Sequence, residues 1–128
     1  MTTDDQQLAG TTATPIIDRL STHVLDTTAG CPAAGISATL EAVGPDGTPT
    51  PCGSGVTDSD GRIQQINSSA LAPGEYRLIL STAGYFGANH GATFYPSITI
   101  QFLLDGGRAH YHIAVLASTY SYATYLGS

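Results

Sequence analysis

Alternation of apolar and polar positions dominates this chain. Ile36, Ala38, Leu40 and Ala42 alternate with more polar neighbours in "ISATLEAV", the period of a half-buried strand. Leu20–Thr27 ("LSTHVLDT"), Glu75–Ser81 ("EYRLILS"), Ser97–Leu104 ("SITIQFLL"), "AHYHIAVLAS" and "TYSYATYLGS" read the same way. Turn clusters separate them. "AGCPAAG" follows the first strand, Pro73-Gly74 precedes Glu75, "DGGR" joins two later strands, and "GPDGTPTP" breaks the chain with three prolines. "GSGVTDSDGRI" supplies a short strand and a turn. Helical periodicity is nearly absent; "TAGYFGANHGA" has room for one or two turns, and its glycines weigh against more. Short, evenly punctuated strands predict an all-β antiparallel sandwich.

The 128 residues suit one domain. The polar start, "MTTDDQQLAGTTATP", lacks the basic and apolar segments of a secretory signal. Residues 1–18 are expected to form a mobile arm, and 19–128 the domain. No apolar run reaches the ~20 residues that cross a bilayer. Cys31 and Cys52 have no metal-type spacing, and the strand between them puts them beyond disulfide reach.

Charge narrows the partners. Ten acidic residues, four arginines and no lysine give a formal charge of −6, a field that repels nucleic acid. Only 11% of residues are charged, fewer than a lone small domain usually displays. Part of the surface is therefore expected to be covered by other subunits.

Candidate chemistry centres on histidine. In a strand, His110 and His112 share one face, and Tyr111, Ile113 and Val115 share the other. The second set reads as core. His23 lies in "STHVLD" with Thr22 and Val24 facing away from it. Arg62 follows an Asp-Gly turn. His110 and His112 could also form a two-histidine metal edge, although no third ligand is evident nearby. His90, in a Gly-rich loop, reads as solvated surface.

"STHVLDTTAGCPAAG", "TDSDGR", "YRLIL", "FYPSITIQF", "HYHIAVL" and "YSYATYLGS" occur in the order of the transthyretin-like family, which the chain resembles from about Leu20 to Ser128. It looks most like the purine-degrading hydrolase branch. The carrier branch has Lys, Glu and Thr where His23, Arg62 and His112 stand here. The hydrolase branch has His, Arg and His there and ends in Tyr-Arg-Gly-Ser; this chain ends Tyr125-Leu126-Gly127-Ser128. Leu126 thus replaces an arginine, and alternation turns it away from Tyr125 and Gly127. Ala117 and Thr119 also depart from the branch.

The resemblance implies a two-sheet Greek-key sandwich of about eight strands with one short helix. It implies a homotetramer, a dimer of dimers with its sites at the dimer–dimer interface. It implies hydrolysis of the ring amide of 5-hydroxyisourate without a cofactor or metal. His23 and His112 would share the proton transfers, Arg62 would hold substrate oxygens, and Ser128 would align a histidine or bind a ring nitrogen. Tyr125, Gly127 and Ser128 would contact substrate. Relatives in this pathway occupy cytosol and peroxisomes; a cytoplasmic location is expected, and no Ser-Lys-Leu address ends this chain. The rival readings are a non-catalytic carrier with an apolar ligand in the tetramer channel, and a sandwich that merely oligomerises.

Overall fold

A computed structural model describes residues 14–128, so residues 1–13 of the expected arm lie outside it. Of the arm's remainder, Ile17 is fully buried and bridged to Leu71. The Asp18 and Arg19 N–H groups both donate to the Ala109 carbonyl.

Nine strands and one helix follow among the described residues. They are β1 (Arg19–Asp26), β2 (Cys31–Pro32), β3 (Ser37–Val43), β4 (Pro49–Val56), β5 (Arg62–Ile63), β6 (Gly74–Ser81), α1 (Ala83–His90), β7 (Ser97–Leu104), β8 (His110–Ala117) and β9 (Tyr122–Leu126). One sheet runs β9-β8-β1-β2, with β5 also pairing β1. The other runs β4-β3-β6-β7. The inward positions are those that alternation selects. Leu40, Leu78, Leu80 and Ile98 meet Leu20, Val24, Ile113 and Val115 between the sheets, all buried. Each such side chain contributes about 1.5–3 kcal/mol by leaving water.

Two features depart from the sequence expectation. The sandwich is not wholly antiparallel, because β1 and β8 pair in parallel, from Arg19↔His110 to Asp26↔Ala117. Parallel neighbours need a long crossover, and residues 27–109 intervene here. The proline-rich "GPDGTPTP" also does not end before a strand; Pro49 and Pro51 lie inside β4. β4 is an edge strand, where a missing N–H costs no ladder bond. Its register against β3 shifts between Leu40 and Glu41, so the prolines sit beside a bulge.

The helix has the short length expected. It stops at Gly91, whose φ of 73° suits glycine and whose N–H donates to the Gly87 carbonyl. It ends by placing His90 against the far end of β1. His90 is therefore not solvated surface: its Nε2 lies 2.6 Å from Oδ2 of Asp26, which is fully buried. The Tyr85 hydroxyl donates to the same oxygen at 2.8 Å, and the Thr28 and Ala29 N–H groups donate to Oδ1 at 3.0 Å. Burial pushes the Asp26 carboxyl up, but hydrogen bonds from His90, the Ala29 N–H and Tyr85 outweigh it and hold the group below the usual carboxylate range. One carboxylate thus fastens the helix and the β1–β2 turn to the sheet.

Replacing Asp26 with Ala should cost about 3 kcal/mol, read as a lower urea midpoint, because four donors lose a charged acceptor. In the wild type this contribution is full above the ordinary carboxylate value of 3.8 and fades as the pH falls below it.

Candidate active site

The parallel pairing of β1 and β8 builds the site. Arg19, Ser21 and His23 alternate along one face of β1, and His110 and His112 along the same face of β8. The register sets Ser21 beside His112 and Arg19 beside His110. Their even-numbered and odd-numbered complements, Thr22, Val24, Tyr111 and Ile113, are buried on the other side. β5 adds Arg62 directly opposite His23. The turn that delivers it passes through Gly61, at a φ of 73°, where a Cβ would lie 2.6 Å from the Val24 carbonyl oxygen. Only glycine lets the Asp-Gly-Arg turn approach β1 this closely.

His23 Nδ1 and His112 Nε2 are 2.6 Å apart, with ring centroids 4.8 Å apart and planes inclined by 29°. His112 Nδ1 lies 2.7 Å from Ser21 Oγ, and so does His110 Nε2. The facing nitrogens of His110 and His112 therefore converge on a hydroxyl. Among the described residues no third His, Cys, Asp or Glu joins them as a metal-binding group.

The C-terminal residues close the arrangement. The Gly127 N–H donates to the His112 carbonyl at 2.7 Å, and Arg108 donates to the Gly127 carbonyl at 2.9 Å. A Cβ on Gly127 would stand 2.8 Å from Cδ2 of His112. The chain can lie against the imidazole only because that position is bare. Ser128 follows, and with Arg19, Ser21, Arg62, His110 and His112 it lines an open cleft of about 210 Å³.

Of the residues singled out in the sequence, Arg62, His112 and Ser128 line this cleft, while His23, against His112 and opposite Arg62, and Gly127, against His112, flank it without lining it. Tyr125 does not line the cleft. Its pairing with Ala114 puts it on the same outer face, half exposed. Leu126 pairs with Ile113 and sits on the opposite face, half exposed, along an apolar groove that Tyr111 and Phe102 also line. Sequence reasoning missed Ser21 and Arg19. Alternation from His23 would have placed both on its face, but neither residue type announces a site.

Electrostatics favour uncharged imidazole. Burial, then the charge of Arg62, holds His23 below the ordinary value of 6.5. Burial first, then His23, Arg62, His110 and Arg19, does the same for His112. The ion pairs among the described residues are Arg77–Glu41 and Asp26–His90, so neither arginine of the cleft is paired with a carboxylate. The cleft presents two guanidiniums without a carboxylate partner, Arg19 bonded to His110 and to the Gln64 carbonyl, and suits an oxygen-rich or anionic small molecule.

Comparison with known proteins places this chain in a family. The model of the HIUase/Transthyretin family matches residues 20–127. The chain belongs to that family. A 5-hydroxyisourate hydrolase of Salmonella typhimurium is 42% identical over 110 residues, covering 85% of this chain and 80% of the relative. One from Deinococcus radiodurans is 40% identical over 114 residues, covering 85% and 95%. Among solved structures, Klebsiella pneumoniae 5-hydroxyisourate hydrolase superposes with a TM-score of 0.76 at 29% identity, covering 88% of this chain and all of that one. Sea bream transthyretin in complex with thyroxine superposes with a TM-score of 0.78 at 28% identity, covering 85% and 94%. The HIUase/Transthyretin backbone thus carries both a hydrolase and a thyroxine binder with nearly equal fit. The backbone alone therefore does not distinguish the two functions.

Both His23 and His112 should titrate below 6.5 in an NMR pH titration. Arg62→Gln removes a nearby cation that disfavours imidazolium, so both midpoints should rise towards 6.5.

Proposed function

We propose that this chain hydrolyses the ring amide of 5-hydroxyisourate to 2-oxo-4-hydroxy-4-carboxy-5-ureidoimidazoline. One observation carries the reading: the His23–His112 contact lies beside Arg62 at a cleft that Ser128 also lines. The hydrolase relatives in the family supply the substrate.

The chemistry asks little beyond these groups. Water adds to the amide carbonyl carbon, the C–N bond breaks, and one proton passes from water to the leaving nitrogen. A neutral imidazole can take and return that proton near neutral pH. His23 and His112 share this work, and burial with the nearby arginine charge holds both below the ordinary 6.5, which favours the uncharged form at neutral pH. Arg62 binds carbonyl or enolate oxygens through its planar fork and stabilises the oxyanion as it forms. Ser128 contributes a hydroxyl to hold the ring or align a histidine. Gly127 keeps the backbone close to His112, and exposed Tyr125 extends the same face towards substrate.

The reading includes a homotetramer. Ala114, Leu116, Ala123 and Tyr125 continue the outer face beyond the histidines, and Tyr125 is 54% exposed. An apolar face of this kind beside a polar site suits a subunit contact, here the meeting of two dimers. No helix among the described residues is long and apolar enough to cross a membrane. The reading carries with it a cytoplasmic location.

The likeness to thyroxine-bound transthyretin supports a second reading, a carrier that holds an apolar ligand in the tetramer channel without turnover. Three histidines and two arginines on that face argue against it, since an apolar ligand gains nothing from them.

Freshly generated 5-hydroxyisourate, followed by its ultraviolet decay, separates the two. The protein should accelerate decay well beyond the spontaneous rate; equal rates with and without protein would end the hydrolase reading. His112→Asn should lower turnover by ~10²-fold while sedimentation still reports a tetramer. The acid limb of the rate profile should lie below pH 6.5, because the working imidazoles resist protonation.

A further inference from the structure

Arg19, Ser21 and His110 have no role so far, yet they join the histidine pair in one hydrogen-bonded chain. Arg19 Nη2 lies 3.2 Å from His110 Nδ1, and His110 Nε2 lies 2.7 Å from Ser21 Oγ. Ser21 Oγ lies 2.7 Å from His112 Nδ1, and His112 Nε2 lies 2.6 Å from His23 Nδ1. Arg19 is held in place by a second bond, from Nη1 to the Gln64 carbonyl at 3.2 Å.

A neutral imidazole has one N–H and one lone pair, and a serine hydroxyl has one proton to give. A row of such groups can point its protons in either of two directions. Its end decides which. Guanidinium carries donors only and does not lose its proton. Arg19 must therefore donate to His110 Nδ1, which leaves the His110 proton on Nε2. That N–H donates to Ser21. The Ser21 oxygen has lone pairs for both imidazoles, but the acceptor within reach of its own proton is His112 Nδ1, so Ser21 donates onward to it. The His112 proton then sits on Nε2 and donates to His23 Nδ1, so His23 keeps its proton on Nε2. The opposite direction would set an N–H of His110 against an N–H of Arg19. Protonating His110 would do the same.

We infer that Arg19 and Ser21 are positioning residues that fix all three histidines as Nε2–H tautomers and leave His23 as the free donor at the end of the row. Ser21 suits the task by size as well as chemistry. It is buried between two imidazoles, with His112 as its register partner and His110 on the diagonal. The inference rests on the hydrolase reading only for the use made of that donor. In the reaction, the His23 Nε2–H serves as a hydrogen-bond donor to the substrate oxygen on which charge builds and gives up no net proton, while the proton taken from water still returns to the leaving nitrogen, so the two histidines are not interchangeable.

Long-range ¹H–¹⁵N correlation on the labelled protein at pH 8 reads the tautomers directly. All three of these histidines should show protonated Nε2 and bare Nδ1. Ser21→Ala should turn His112 into a tautomer mixture and lower kcat ~10-fold with little change in KM; Ser21→Thr should restore both. Arg19→Met should mix the tautomers along the row, and Arg19→Lys, also a pure donor, should keep them. A wild-type His112 protonated on Nδ1, or a His112 tautomer indifferent to Ser21→Ala in a folded protein, overturns the inference and leaves the hydrolase reading standing. Tautomers as stated in a protein that does not accelerate 5-hydroxyisourate decay overturn the hydrolase reading and leave the inference standing.

Discussion

Everything at the site depends on the parallel alignment of β1 and β8. Side chains alternate with a period of two, so a slip of one residue would send a strand's entire outer set into the core. Here the slip is forbidden by what lies behind. Leu20, Thr22 and Val24 on β1, and Tyr111, Ile113 and Val115 on β8, are all buried. Exposing them to bury Arg19, Ser21 and His23 would be prohibitive. The hydrophobic core therefore specifies which polar groups share the other side. The hydrogen bonds among the histidines follow from that register and do not create it.

β1 serves two purposes at its two ends. Towards its start, alternate residues face outward, with Arg19 and His23 partly accessible and imidazoles held neutral by burial and nearby cations. At its end, Asp26 is sealed from solvent and kept charged by His90, Tyr85 and two backbone N–H groups. The two environments treat titratable groups in opposite ways. One favours the uncharged form needed to move protons. The other favours the charged form needed to hold a helix. The same strand can do both because its buried and outward faces never mix.

Much of this was legible in the chain. Alternation alone separated His110 and His112 from Tyr111, Ile113 and Val115, and it separated His23 from Thr22 and Val24. Those faces are as read. What alternation lacks is any measure of distance between strands. Nothing local says that residue 19 lies beside residue 110, or that the pair runs parallel. Ser21 and Arg19 were overlooked for that reason: a serine and an arginine in a strand look ordinary until their neighbours are known. His90 was misread as solvated surface because its partner lies 64 residues away. The prolines of β4 misled differently. They do exclude a central strand, but an edge strand with a bulge admits them.

The two arginines of the cleft stand against the charge of the whole. The chain carries a formal −6, and an approaching anion would be turned away if that total were felt at range. At cellular ionic strength, mobile ions damp such fields over about 8 Å. The scattered carboxylates are then mute at the mouth of the cleft, while the guanidiniums of Arg19 and Arg62 act over the last few ångströms. Encounter is left to diffusion, and discrimination is postponed until the visitor has nearly docked.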